Sequence, residues 1–307
     1  MLISNFKVVV VGVGVQGQKR AKIAKNDLIA TVDVDTNKAD YQCIEQIDDT
    51  SYHAVLLCTP DNVKYELLKK LLYKNKHVLV EKPLFVNNIK QISELERIAK
   101  KNNLVLYTAY NHRFEPHFNN MKNCLFKEEL GKIYRIRMSY GNGTSGLVKK
   151  SNWRDKGSGV ILDIGSHLLD TLYFWFKDTK ISLTETKSFC FENKSPDYAI
   201  LIGRINNIFF ELEVSLLNWR NDFVCEIIGN NGSAHIRSLC KWGPSEFIKR
   251  KRIFPAGRPK EKVITLTQPD PTWELEYQFF KNLVKNKVET NLSRDKKIFN
   301  LLKKSFI

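Results

Sequence analysis

A valine run ending in three spaced glycines constrains the fold of this chain more than any other feature. Phe6-Lys7-Val8-Val9-Val10-Val11 leads directly into Gly12-Val13-Gly14-Val15-Gln16-Gly17. A continuous β-branched run without alternation marks a parallel strand buried on both faces. In the Gly-x-Gly-x-x-Gly spacing each glycine has its own task. Gly12 permits a tight turn, Gly14 lets a pyrophosphate approach the backbone, and Gly17 permits close packing of helix on strand. Val13, Val15 and Gln16 complete the loop and the helix start, where phosphates rest on free N–H groups. A helix is expected from about Val15 to Lys25.

The alternation continues through the first third of the chain. Strands are expected at Leu28–Asp33, Ala54–Cys58, His77–Val80 and Leu104–Tyr107, with Thr59-Pro60 stopping the third strand of the series. Helical spacing covers Tyr65–Tyr73 and Ile89–Lys101, the latter with Ile92, Leu95, Ile98 and Ala99 on one side. Strands alternating with helices specify a doubly wound parallel sheet. Asp33 closes the second strand sixteen residues after Gly17. It is the expected acceptor for adenosine ribose hydroxyls, and its charge repels a 2′-phosphate, which favours NAD over NADP. Asp35 competes for that role, its plainer reading being a solvated turn residue, and Lys38 leaves NADP open.

Past Arg113 the pattern changes. Glu115–Lys127 reads as a helix and Lys132–Tyr140 as a strand, followed by the glycine-rich loop Gly141-Asn142-Gly143-Thr144-Ser145-Gly146. One long helix is expected from Val160 to Phe176. Strands then follow at 181–191, 198–205, 208–217, 223–229 and 233–238, with Asn206-Asn207 and Asn230-Asn231-Gly232 as hairpin turns. Amphipathic helices near Trp273–Lys285 and Lys296–Lys304 come last. The expected fold class is α/β. A Rossmann domain with a doubly wound parallel sheet spans 1–115, and an α+β domain with a large, mostly antiparallel open sheet spans 116–307.

Two short segments carry chemistry. Glu81-Lys82-Pro83 closes the fourth strand, at the end where open α/β sheets place ligands. Asp163 and His167 are four apart on the expected long helix and point to one face. An ammonium, a carboxylate and an imidazole on separate elements suit the removal of a proton from an alcohol. With the glycine loop, that proton leaves beside a nicotinamide, and the set reads as a dehydrogenase. Each residue also has a plainer reading: a strand-end ion pair for Glu81 and Lys82, a helix N-terminal acid for Asp163, a packed core histidine for His167.

Composition narrows the partners. The net charge is +16, from 49 basic and 33 acidic residues. The lysines are dispersed on solvated faces such as Leu67-Leu68-Lys69-Lys70-Leu71-Leu72. The densest run, Lys249-Arg250-Lys251-Arg252, is short and lacks interleaved aromatics, so nucleic acid is not the expected partner. A positive field suits an anionic substrate such as a nucleotide sugar or sugar acid. No apolar stretch approaches the roughly 20 residues of a membrane span. The opening residues lack the layout of a secretion signal, and a cytoplasmic location is expected. Cys43, Cys58, Cys124, Cys190, Cys225 and Cys240 form no Cys-x-x-Cys pair and are expected as free, buried thiols. The histidines show no metal-ligand spacing, so no metal is expected. His112 and His117 are expected at the surface or on a pocket wall, and Trp219 in core or interface packing.

At this point the chain resembles the Gfo/Idh/MocA oxidoreductases, the family of glucose–fructose oxidoreductase and inositol 2-dehydrogenase, along nearly its whole length. The likeness rests on the glycine loop, Cys58-Thr59-Pro60, Lys76-His77-Val78-Leu79-Val80-Glu81-Lys82-Pro83 and Asn111-His112-Arg113-Phe114 with Pro116. It continues through Leu130-Gly131-Lys132-Ile133, Asn152-Trp153-Arg154, the Gly157–Asp170 segment and Trp273-x-x-Glu276-x-x-Phe279. The resemblance implies NAD-dependent oxidation or reduction of a sugar, nucleotide sugar, cyclitol or related alcohol. It also implies a second domain whose open sheet often builds homo-oligomers. By match to the family's motifs, Lys82 is similar to the active-site lysine, His167 to the acid/base and Asp163 to its partner. The same match puts Thr59 and Pro60 at the cofactor, Glu81 near the nicotinamide ribose, and Asn111 and Arg154 near the substrate. Two departures stand out. Lys64 occupies a position, four residues after Pro60, where the family often has histidine, and Gly157-Ser158-Gly159 replaces three glycines. A non-catalytic NAD sensor of the same fold is the alternative, and the retained Lys82, Asp163 and His167 argue against it.

Overall fold

The computed structural model describes residues 6–304 except 152, 178, 289 and 291. The first sheet is built from β1 (Val8–Val11), α1 (Val15–Ala24), β2 (Leu28–Val32), β3 (Ala54–Leu57), α2 (Asp61–Tyr73), β4 (His77–Glu81), α3 (Ile89–Lys101) and β5 (Leu106–Ala109). Its strands are all parallel, in the order β2-β1-β3-β4-β5. The valine and leucine runs bury both sheet faces, so β1, β3 and β5 have no exposed residue. Val9, Val11, Val55, Leu57, Val78 and Val80 pack on one side with Leu68, Leu71, Ile92 and Leu95 of α2 and α3. Val8, Val10, Ala54, Leu56 and Leu79 pack on the other. The strand order reverses between β1 and β3, and a parallel sheet offers its ligand crevice beyond the carboxyl ends at such a point.

The second sheet follows α4 (Pro116–Phe126) and contains β6 (Ile133–Gly141), β7 (Ile181–Phe189), β8 (Tyr198–Ile205), β9 (Ile208–Ser215), β10 (Asp222–Gly229), β11 (Gly232–Arg237), β12 (Ser245–Lys251) and β13 (Glu261–Leu266). Between β6 and β7 come α5 (Ser145–Lys149), a π-helical turn at Ile161–Gly165 and α6 (Ser166–Trp175). The order is β13-β12-β11-β10-β6-β9-β8-β7, antiparallel except where β6 lies parallel to β9. One face is apolar, with Ile136, Met138, Leu212, Phe223, Cys225, Ile227 and Ile236 fully buried. The other alternates to charge, with Arg137 meeting Glu211 at 3.0 Å and Arg135 meeting Glu226. Helices α7 (Thr272–Lys285) and α8 (Ser293–Lys304) follow. No helix among the described residues is long and apolar enough to cross a membrane.

The chain forms two compact units, one running to Asn111 and adding Trp273–Phe299, the other spanning His112–Thr272 and resuming at Asn300. This differs from the single boundary expected after residue 115. The reason lies in the later helices: Tyr277, Phe280 and Val284 enter one core of the parallel sheet, and Leu292 and Phe299 the other.

Other expectations also change. β12 and β13 were not legible as strands. The basic run Lys249-Arg250-Lys251 lies on β12, where Arg250 pairs with Glu261 of β13 at 2.6 Å and Lys249 pairs with Glu129. The expected long helix opens with the π-helical turn, and the glycine-rich loop closes into α5. His117 is fully buried rather than on a surface, and burial lowers its pKa. Trp219 is fully exposed rather than in the core, and Cys43 and Cys190 are exposed rather than buried.

His77 sets a pH response for the first unit. Its Nδ1 accepts the Val105 N–H at 2.9 Å. Burial first, then the charges of His53 and Lys76, push its pKa down from 6.5 to about 4. The unfolded chain therefore binds a proton that the folded chain refuses within this window. Stability is whole above the unfolded value and falls as the pH drops toward 4. Acidifying through that window is expected to destabilise the unit by on the order of 3 kcal/mol. His77→Asn, which keeps an acceptor for Val105, should remove this component. Urea unfolding midpoints of both proteins, taken above and within the window, check it.

Candidate active site

The three glycines of the first loop have different surroundings. Gly12 adopts φ +88°, and a Cβ there would lie 2.7 Å from the Cys58 carbonyl oxygen. At Gly17 a Cβ would lie 1.8 Å from the Gly12 carbonyl oxygen, so this glycine lets α1 close on β1. At Gly14, immediately before α1, a Cβ would meet nothing within 4 Å. The outer glycines thus serve the fold, and the middle one borders open space at a helix N-terminus. No side chain caps α1, and its first turn carries no acid. Free N–H groups there suit an anion.

Asp33 lies against this loop. Its Oδ2 accepts the Val13 N–H at 2.6 Å and its Oδ1 the Asp35 N–H at 3.0 Å. The competitor Asp35 pairs with Lys38 at 2.5 Å on the exposed side. In the turn after β3, the buried Thr59 Oγ1 has no hydrogen-bond partner among the described residues. An uncapped helix start, a cleared Gly14, a carboxylate held at the loop and an unsatisfied hydroxyl fit a dinucleotide.

Glu81-Lys82-Pro83 is held from two sides. The Glu81 carboxylate accepts from Arg20 Nε at 2.8 Å, and a terminal nitrogen of Arg20 donates to Glu276 Oε2 at 2.7 Å. The Arg20 guanidinium also sits over the Trp273 ring at 4.4 Å. Trp273 and Glu276 therefore brace Arg20, and through it Glu81. Below the tripeptide, Lys64 is 2% exposed. Its Nζ donates to Asp61 Oδ1 at 2.5 Å, to the Glu81 carbonyl at 3.0 Å and to the Pro83 carbonyl at 2.9 Å. Lys82 itself is half-buried.

The second unit contributes its own cluster. Asp163 lies on the π-helical turn, half-buried, and its Oδ2 accepts from Arg154 at 3.3 Å. His167, in the first turn of α6, is 9% exposed. Its ring stacks on His112, centroids 4.1 Å apart and planes 22° apart. His112 stacks in turn on Tyr140 at 5.5 Å, and the Tyr140 hydroxyl accepts from Lys241 Nζ at 3.0 Å. Beside them Arg113 forks onto Asp170, at 2.9 Å and 2.6 Å. His112 is thus buried support for His167, a role that no spacing between positions 112 and 167 announces. Ser158 stands in place of a glycine without strain, since the positive-φ positions of this segment are Gly157 and Gly159.

Gly12, Val13, Gly14, Val15, Gln16, Gly17, Asp33, Thr59, Pro60, Glu81, Lys82 and Asn111 belong to the first unit. Arg154, Asp163 and His167 belong to the second. Asn152 lies outside the described residues. Beyond the expected set, Arg20 and Lys64 brace Glu81-Lys82-Pro83 in the first unit, and His112 stacks on His167 in the second.

Comparison with known proteins identifies the family of both units. A model described as an oxidoreductase family with an NAD-binding Rossmann fold matches residues 6–110, and the GFO/IDH/MocA C-terminal domain matches residues 118–235. An uncharacterised oxidoreductase of Schizosaccharomyces pombe is 35% identical over 129 residues, covering 41% of this chain but 34% of that relative's length. Glucose-6-phosphate 3-dehydrogenase of Bacillus subtilis is 23% identical over 254 residues, 71% of each protein. Among solved structures, levoglucosan dehydrogenase in complex with NADH shares the fold with a TM-score of 0.83 at 16% identity, covering 98% of this chain and 97% of that one.

Substitutions separate the glycine roles. Gly14→Ala should leave thermal unfolding within about 0.5 kcal/mol of the parent and weaken NADH binding at least tenfold. Gly17→Ala should cost about 1–3 kcal/mol of stability by overpacking. Differential scanning and NADH fluorescence titration read both. Arg20→Met strands two buried carboxylates and should destabilise the first unit by about 3–5 kcal/mol, read as a lowered urea midpoint.

Proposed function

Because the chain belongs to the Gfo/Idh/MocA oxidoreductase family, we propose that it is an NAD-dependent dehydrogenase acting on an alcohol carbon of a sugar. The observation that carries this reading is the open space at Gly14, at the uncapped start of α1, with Asp33 held against the same loop. The pyrophosphate would be held by the Gly12–Gly17 backbone, Val13, Val15 and Gln16 included. Asp33 would accept from the adenosine ribose, which favours NAD over NADP. Thr59, Pro60 and Glu81 would line the nicotinamide half. NAD, when bound, supplies the acceptor for the hydride.

The chain's own groups handle the proton and the charge. The His167 imidazole takes the proton of the substrate hydroxyl as the C–H bond gives up its hydride. Lys82 Nζ donates a hydrogen bond to the same oxygen and stabilises the negative charge that grows there. Asp163 orients the imidazole or a neighbouring hydroxyl, and Arg154 and Asn111 hold further substrate hydroxyls. In reduction the imidazole and ammonium act as donors. The stack of His167 on His112 supports this by fixing the plane of the base.

The substrate class is a sugar bearing negative charge, such as a sugar phosphate or nucleotide sugar. The net charge of +16 supports it, as does the likeness to a glucose-6-phosphate 3-dehydrogenase. The reading includes a homo-oligomer, supported by the family resemblance, and a cytoplasmic location. Lys82→Ala and His167→Ala should each lower kcat by about 10²–10⁴-fold, with NADH affinity kept. Absorbance of reduced nicotinamide across a panel of sugars and nucleotide sugars measures turnover. Full activity in both variants would refute the assignment.

A further inference from the structure

Lys64 is buried with every donor engaged. It stands near the start of α2, and each of its three donors has an acceptor: the Asp61 carboxylate, the Glu81 carbonyl and the Pro83 carbonyl. A buried ammonium is costly unless it is paired and fully hydrogen-bonded. Asp61 neutralises it, and the remaining two donors go to the backbone. Those two carbonyls belong to the residues on either side of Lys82.

The location matters because β4 ends at Glu81, whose last ladder partner is Ala109. Beyond that point the sheet no longer orders the backbone, and its carbonyls need other partners. Lys64 provides them. The residue before Lys82 is held by its carbonyl and, through Arg20, by its carboxylate. The residue after it is held by its carbonyl. A neutral imidazole, the side chain that the resemblance leads one to expect here, has one N–H and reaches at most one of these acceptors.

We propose that Lys64 is a positioning residue for Lys82, a charge-neutralised ammonium that pins the carbonyls of both residues flanking the catalytic lysine, Glu81 and Pro83, and so sets where its Nζ is presented. This rests on the role given to Lys82 above. Misplacing a catalytic group by about 1 Å costs on the order of 10²-fold in rate. Lys64→Met removes all three donors. Lys64→Gln keeps two.

The test is a kinetic cycle with Lys82→Ala, combined with amide exchange read by mass spectrometry. Turnover is assayed with NAD and glucose 6-phosphate, UDP-glucose or myo-inositol, whichever forms NADH fastest. Lys64→Met should lower kcat at least tenfold, with KM and NADH affinity within about twofold, and Lys64→Gln should recover part of the loss. The double variant should be no slower than Lys82→Ala alone, because a group acting through Lys82 has nothing left to position. Amides of segment 80–86 should exchange at least tenfold faster in Lys64→Met, with the rest of the first unit unchanged. Multiplicative losses in the double variant would overturn the proposal while leaving the role of Lys82 intact. So would loss of NADH binding or of exchange protection throughout the unit in both Lys64 variants, since Lys64 would then be holding the fold. A fully active Lys82→Ala would overturn the reaction assignment, and this inference with it.

Discussion

The arrangement of the first unit depends on one buried guanidinium. Arg20 of α1 reaches Glu81 at the end of β4 and Glu276 of α7, while Trp273 covers its face. Taking these charges from water is expensive, and the loss is offset only when geometry is good and every partner stays in place. Three elements far apart in the chain are thereby held to one register. The condition upstream is the approach of α1 to β1. Gly17 stands against the Gly12 carbonyl with no room for a Cβ, which sets where Arg20 emerges one turn later. The glycine loop and the strand end that carries Lys82 are therefore parts of one construction, joined through a residue buried from solvent.

Much of this was legible in the sequence because it is local. The valine run and the glycine spacing act within a few residues, and the acid after β2 is announced by its place at a strand end, from which it reaches the Val13 N–H. The period-two strands β7 to β11 were legible for the same reason: one face is apolar and the other charged. What escaped was set by partners. β13 is an edge strand exposed along most of its length, with no apolar stripe to announce it. β12 hides behind basic residues whose acidic partners lie elsewhere in the chain. The π-helical turn under Asp163 leaves no mark in the spacing of apolar residues. His112 and Lys64 look like ordinary surface residues until their acceptors and ring partners are known.

The site residues divide accordingly. Those expected to touch a ligand are named by residue type and motif, whereas those that brace them are not. His112 beneath His167, Lys64 around Lys82 and Arg20 behind Glu81 each remove freedom from one side chain or strand end. Preorganisation of this kind is what lets a charge or a base act without first reorganising its surroundings. Departures from the family pattern fit the same view. Ser158 falls where no left-handed backbone is required, and Lys64 replaces a one-donor ring with a three-donor cation.

The division of the first unit into two stretches of chain affects how it is made. Tyr277, Phe280 and Val284, which complete one core of the parallel sheet, leave the ribosome after nearly all of the second unit. During synthesis, then, the strands of the Rossmann sheet and all of the antiparallel sheet precede the helix that completes one face of the former. Through that interval one face of the valine-rich sheet lacks the helix that completes its core.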